Sequence, residues 1–284
     1  MLPARVLVRS AGHVESVPID DYVVAAALSE VTPLNETPET VDRIYEVQAV
    51  LARTYAFSHL GRHQAEGFDL CDTTHCELYE PARLRTSRFA AAARAAAKRT
   101  TQMVLTYANR PVEALFHADC GGYTDGADAV WGGPPVPYLL AAPDRAASAT
   151  HRSWKIAIPV NDLRGALNAD SRSRIGRRLD AVQITQQDSS GRAARILLRG
   201  DERHEIRGEE LRTIIDGKLG DRAIQSTRFS VTRAGDMFVF QGTGFGHGVG
   251  LCQLGAAARA RHGESLDHIL AAYFPGTKLV RSGS

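Results

Sequence analysis

An apolar run over residues 22–28 leads into Ser29-Glu30 and then a polar, proline-marked gap. Beyond the gap, apolar residues return at steps of three and four through Val41, Ile44, Val47, Val50 or Leu51, and Tyr55. That spacing is one face of a helix. The pattern predicts an oily first helix and an amphipathic second one over residues 41–57, meeting around a short loop. Thr40 or Asp42 can cap the second helix, and Glu39 lies where the helix dipole favours an acid. Upstream, residues 6–8 and 14–17 flank Ala11-Gly12-His13 in the manner of a β-hairpin. Asp20-Asp21 stand where they would cap the first helix.

The Ala- and Arg-rich stretch 83–99 predicts a third helix with a basic, solvated face. Residues 101–107 and 111–117 predict a hairpin leading into a Gly-containing loop, Asp119-Cys120-Gly121-Gly122-Tyr123, and 138–140 reads as a short buried strand. From 145 to 236 the texture is more polar. It predicts strands at 154–158, 179–185 and 193–198 and short helices at 161–167 and 209–215. A strand at 237–241, a glycine run, and helices at 252–262 and 265–273 close the chain. The expected fold is α+β, with helices and antiparallel sheets around a central groove and a more polar second lobe or insertion. The expected divisions are 1–144, 145–236 and 237–284.

Composition changes this picture little. The 284 residues are 44% hydrophobic and 23% charged, which suits an ordinary globular protein with enough core. A net charge of +2, with no basic block interleaved with aromatics, argues against a nucleic-acid partner. No apolar stretch approaches the ~18 residues of a membrane span. The first sixteen residues lack the apolar core and small-residue cleavage site of a signal peptide, so neither signal peptide nor membrane anchor is expected in this sequence.

Three features carry candidate chemistry. Glu30 ends an apolar helix, where apolar walls would raise its pKa and fit it to act as a general acid; the alternative is a surface glutamate at a helix C-terminus. Cys71, His75 and Cys76 offer metal ligands at close spacing. A tetrahedral zinc site needs a fourth, for which Cys120 is the natural candidate, with His63 and His117 behind it; the alternatives are a Cys71–Cys76 disulfide or free thiols. Four protein ligands would make such a zinc structural. Glycines at 242, 244, 246, 248 and 250 alternate, so an extended segment would present one bare face to a ligand or to another backbone. Val249 and Leu251 break a dinucleotide fingerprint, and no Gly-Lys-Ser/Thr follows. His247 within that run is a core histidine or a catalyst. Nucleophilic catalysis has little support, since there is no Gly-x-Ser-x-Gly elbow and Cys252 has only His247 nearby in sequence.

In blocks over nearly the whole length, the chain resembles the stage II sporulation protein D (SpoIID) family. The blocks are Leu28-Ser29-Glu30-Val31-Thr32-Pro33, Glu46-Val47-Gln48 through Ala52-Arg53-Thr54-Tyr55, Phe116-His117-Ala118-Asp119-Cys120-Gly121-Gly122 with Val130-Trp131-Gly132, and Gly242 through Leu251-Cys252-Gln253-Leu254-Gly255. The resemblance implies a peptidoglycan lytic transglycosylase acting on glycan strands stripped of stem peptides, with LytB amidase enhancers among its relatives. It implies Glu30 as the catalytic acid, and Arg53, Gln48, His247 and Gln253 as substrate-binding residues. Some members hold zinc in a Cys/His segment, which implies Cys71, His75, Cys76 and Cys120 as ligands. It further implies a cell-envelope location and a cell-wall amidase as a partner. A non-enzymatic module that binds glycan and activates a muramyl amidase is the competing expectation. Residues 35–38 lengthen the gap after Glu30 beyond the family pattern.

Overall fold

The computed structural model describes residues 3–146 and 151–282, and these form an α+β protein. The chain begins with β1 (Arg5–Ser10) and β2 (His13–Pro18), the hairpin that the sequence predicts, paired from Arg5↔Pro18 to Ser10↔His13. Next comes α1 (Ile19–Glu30). Its residues 22–28 are all buried, so it is a core helix rather than an amphipathic one. Asp20 and Asp21 lie in its first turn, where the dipole favours acids, but neither side chain caps it. The helix stops at Val31, which turns extended two residues before Pro33.

Then α2 (Pro38–Ser58) starts earlier than its apolar period suggests, because Thr37 accepts from the Thr40 amide and Pro38 fits the first turn. After β3 (Leu70–Cys71), parallel to β1, the basic stretch divides into α3 (Arg83–Thr86) and α4 (Ala90–Arg99). Ser87 breaks it: its backbone is extended and its Oγ accepts from the Phe89 amide, an alternative to the helical ladder. The predicted hairpin after α4 is cut short. On the hairpin side, β4 (Met103–Tyr107) pairs with just the two residues of β5 (Arg110–Pro111), since Pro111 has no N–H to donate.

Contacts divide the chain into two compact units, residues 1–115 with 256–284, and residues 116–255. The second holds β6 (Phe116–His117), α5 (Ala127–Trp131), β7 (Ser153–Pro159), α6 (Val160–Asn168), β8 (Leu179–Gln187), β9 (Ala193–Gly200), β10 (Arg203–Arg207), α7 (Gly208–Leu219), β11 (Phe229–Ala234), β12 (Met237–Thr243) and β13 (Leu251–Cys252). Two antiparallel three-stranded sheets, β10-β9-β8 and β11-β12-β7, share one core with α6 and α7. The texture of the sequence places a boundary at 236/237. The structure instead keeps β12 within this unit, because β12 pairs with β7 along its whole length. The expected strand at 138–140 is a turn, with Leu139 buried and Leu140 exposed. The chain closes with α8 (Gln253–Arg261), α9 (Leu266–Tyr273), capped by Ser265, and β14 (Lys278–Arg281), which takes the other edge of β4. Among the described residues no helix is long and apolar enough to cross a membrane.

Candidate active site

The packing that makes α1 a core helix also determines the state of Glu30. Its carboxyl is half-buried, and burial raises its pKa from 4.5 to about 7, against the opposing effect of a hydrogen bond donated by the Leu78 amide to Oε1 at 3.0 Å. The segment carrying Leu78 is fastened to the end of α1 at two more points. The Glu80 amide donates to Ser29 Oγ at 2.9 Å, and Arg83 donates to the Leu28 carbonyl at 3.3 Å.

Beside it lies a second carboxyl that sequence reasoning missed. Glu77 is 2% exposed; Tyr22 donates to its Oε2 at 3.1 Å, and Oε1 has no partner among the described residues. Burial, and then the charge of Glu30, push Glu77 well above the usual carboxylate range and so toward the neutral form. A sealed, neutral Glu77 cannot activate water as the second carboxylate of a hydrolase would. In sequence it is one acid among many; only the buried Tyr22 beneath it singles it out.

The Cys/His segment precedes Leu78 directly. Ligand atoms of His63, Cys71, His75 and Cys76 lie within 4.8 Å of one another. His63 Nε2 is 3.4 Å from Cys76 Sγ, and His75 Nδ1 is 3.7 Å from Cys71 Sγ and 3.8 Å from Cys76 Sγ. Zinc bonds of about 2.3 Å to sulfur and about 2.0–2.1 Å to nitrogen give S–N edges of about 3.5 Å in a tetrahedron. The four donors therefore fit zinc. Glu66 Oε1, 2.6 Å from His63 Nδ1, fixes the ring with Nε2 facing the cysteine, the arrangement that orients metal-bound histidines. Burial opposes the Cys71 thiolate, but hydrogen bonds led by Thr73 outweigh it and bring the thiol down to about 7.

This set corrects the expected ligands. His63, on the turn after α2, is the residue that lies with Cys71, His75 and Cys76, whereas Cys120 lies in the second unit with His117 and Cys252.

Arg53 is also placed differently from expectation. It is 1% exposed and donates to the carbonyls of Thr100, Met103 and Ala97 at 2.9, 3.2 and 3.3 Å. It therefore serves the last turn of α4 as a buried cation at a helix C-terminus, and no donor geometry is directed at a groove. Gln48, on the same helix, is 2% exposed and Gln253 is half-buried.

Among the described residues, Arg83 and Arg88 are the cationic side chains that line a shallow depression of about 410 Å³ in the first unit. Thr32, Glu80, Ser87 and Phe89 complete much of its lining. Arg83 is held by Glu80 at 2.7 Å, while the guanidinium of Arg88 lies 4.7 Å over the Phe89 ring. The break at Ser87 creates this rim, and an uninterrupted helix over 83–99 would have hidden it.

In the second unit the glycine run is not an extended strand with a bare face. Beyond β12 its glycines take left-handed φ, and the space beside them is filled by the protein itself. A Cβ on Gly246 (φ +105°) would lie 2.8 Å from His117 Cβ, and one on Gly248 (φ +87°) would lie 2.5 Å from the Arg192 guanidinium. His247 donates from Nε2 to the Phe116 carbonyl and accepts from the Val249 amide on Nδ1, both at 3.0 Å. Burial lowers its pKa to about 4. Both ring nitrogens serve the backbone, so His247 is a fastening of the loop rather than a sugar ligand.

These features define a protein whose first unit joins a proton-retaining acid to a Cys/His cluster and whose second unit is closed by a packed glycine run. The stage II sporulation protein family model matches residues 9–107, and a domain of unknown function (DUF8618) matches residues 146–250. The chain is 28% identical over 282 residues to stage II sporulation protein D of Bacillus subtilis, covering 94% of this chain and 75% of that protein. It is 29% identical over 268 residues to an uncharacterized protein of Brachyspira hyodysenteriae (92% of this chain, 66% of that protein). An amidase enhancer of Bacillus subtilis is 26% identical over 282 residues (83% and 37%). The family model over the first unit and the stage II sporulation protein D and amidase enhancer relatives along most of the chain together support kinship with the SpoIID/LytB family.

Proposed function

We propose that this protein acts in the cell envelope as a lytic transglycosylase on peptidoglycan glycan strands, with Glu30 as its single general acid and base. The observation that carries this is the half-buried carboxyl with a pKa raised to about 7, which holds a transferable proton near neutral pH. Glu30 donates that proton to the glycosidic oxygen between N-acetylmuramic acid and N-acetylglucosamine, and the bond from that oxygen to the muramic C1 breaks. The resulting carboxylate takes the proton of the C6 hydroxyl, whose oxygen closes on C1 as the 1,6-anhydro ring. No water is consumed, which suits a site with one working carboxyl.

Zinc held by His63, Cys71, His75 and Cys76 would supply structure, tying the turn after α2 to the segment that presents the Leu78 amide. Arg88, which lines the depression, would meet the lactyl carboxylate of the muramic acid.

Digestion of peptide-stripped glycan strands followed by mass spectrometry tests the assignment. Anhydro ends that vanish in Glu30→Gln are expected; reducing ends, or full activity in that variant, overturn it. The amidase enhancer among the relatives favours one second reading, a non-enzymatic activator of a muramyl amidase. That reading predicts strand binding without products and amidase stimulation that survives Glu30→Gln.

A further inference from the structure

Outside the site described above, the second unit holds another set of soft donors. Strands β6 and β13 are two residues long and pair in parallel, with His117 directly opposite Cys252. The glycine-flanked loop after β6 carries Cys120. Ligand atoms of His117, Cys120 and Cys252 lie within 4.8 Å of one another, and all three residues are 4% exposed or less.

Their hydrogen bonds are those of a ligand set. The His117 Nδ1–H donates to the Val249 carbonyl at 3.2 Å, which fixes the tautomer and leaves the lone pair on Nε2. That buried Nε2 has no partner among the described residues. A buried acceptor left unmatched destabilises the fold, and a bound cation would satisfy it. Both sulfurs accept from backbone amides: Cys252 Sγ from Cys120 and Gly255 at 3.3 and 3.4 Å, and Cys120 Sγ from Gly122 at 3.3 Å. N–H groups directed at sulfur favour thiolates.

We infer that His117, Cys120 and Cys252 form a second metal site, for zinc or a similarly soft divalent cation, separate from the His63/Cys71/His75/Cys76 cluster. Binding releases the two thiol protons, so the metal with its two thiolates and neutral imidazole carries no net charge. That neutral unit is compatible with Arg192, whose guanidinium donates to the Cys120 carbonyl at 2.8 Å. Asp144, with Oδ2 3.8 Å from Cys120 Sγ, is in reach of a fourth position. A two-stranded sheet of two residues per strand has little stability of its own. The metal supplies the missing clip and fastens the end of the glycine run to the loop that carries Cys120.

The test is zinc uptake by reduced, metal-stripped full-length protein, read by native mass spectrometry. The unaltered protein is expected to take up one more zinc than Cys252→Ala or His117→Gln, while Cys76→Ala loses the other zinc independently. Equal uptake by the unaltered protein and Cys252→Ala overturns the site. So does a Cys120–Cys252 disulfide in protein isolated from cells. Should the variants misfold, cobalt titration of the unaltered protein decides. Thiolate-to-cobalt absorption that grows through a second equivalent is expected, and absorption that stops at the first overturns the inference. None of these readouts depends on glycan cleavage, so they stand or fall apart from the proposed activity.

Discussion

Glu30 and His247 are both titratable side chains in family motifs, and burial drives both toward the neutral form, yet their partners differ. Glu30 receives one backbone amide and titrates near 7. His247 uses both nitrogens on the backbone and titrates near 4. A neutral acid of that kind has a proton to give at neutral pH, whereas a neutral histidine committed to two backbone groups has neither a proton nor a lone pair to offer. The comparison shows that conspicuous motif chemistry can be architecture. An unremarkable glutamate at the end of an alanine-rich helix is the better candidate for catalysis.

The sharpest way to break this contrast is Glu30→Gln. Removing a general acid is expected to lower formation of anhydro products by about 10²–10⁴-fold. The same substitution should stabilise the fold above neutral pH. Because the folded-state pKa lies above 4.5, the native state binds the proton more tightly, so stability is complete below pH 4.5 and declines as pH rises toward 7. The decline for this one group is on the order of 3 kcal/mol. Glu30→Gln should therefore unfold at a higher temperature than the unaltered protein at pH 8 and lose that advantage near pH 4. Parallel melting curves at both pH values would refute the burial of the carboxyl.

On the other side of the contrast, Gly248→Ala tests whether the glycine run is architecture. A Cβ there meets the fully buried Arg192 in addition to the cost of φ +87°. A loss on the order of 3 kcal/mol is expected, or a fall in Tm of about 6–12 °C. Gly133→Ala is the control, with φ +91° and nothing within 4 Å of its Cβ. It should cost only the backbone term, about 1 kcal/mol. If both variants melt together, the packing of the glycine run is not what the close approach implies.

Arg53 offers the next test. Met at this position keeps the stem but leaves three carbonyls, two at the end of α4 and one at the start of β4, without their donor, and hydrogen bonds to a charged group contribute about 1.5–3 kcal/mol. Arg53→Met is expected to lower denaturant stability by about that much while turnover per folded molecule stays near that of the unaltered protein. A raised KM with unchanged stability would return Arg53 to the substrate.

Much of this was legible in the sequence. The 3.6-residue period and the alternating strands located the first hairpin, α1, α2 and most of the strands in the polar half, because those signals are local. For Glu30 the seven apolar residues upstream left both a raised pKa and a surface glutamate open, and the packing of α1 supports the first. What escaped depended on contacts far apart in the chain. His63 rather than Cys120 lies with the first cluster because the turn that bridges His63 to Phe68 folds its ring back onto Cys76, which no cysteine spacing rule reports. Arg53 was expected to bind substrate because of the resemblance to the family motif, and only the position of α4 shows what it serves. Glycines at alternate positions suggested an extended strand, but alternate left-handed φ values produce the same spacing.

The smallest expected effect concerns Arg88, which the break between α3 and α4 places on the rim of the depression. It is exposed, and beyond its own neighbour Phe89 it has no hydrogen bond or ion pair among the described contacts. An exposed cation meeting one carboxylate contributes about 0.2–1 kcal/mol. Arg88→Ala should therefore raise KM for glycan strands no more than about fivefold, with kcat unchanged. Screening gives the discriminating readout, since the Debye length falls from about 10 Å at 0.1 M salt to about 3 Å at 1 M. The difference between Arg88→Ala and the unaltered protein should shrink as salt rises if the interaction is with a carboxylate. It should persist if Arg88 serves only to cover Phe89. Identical KM values at low salt would remove Arg88 from the subsite, leaving the acid at the end of α1 with another partner to position its sugar.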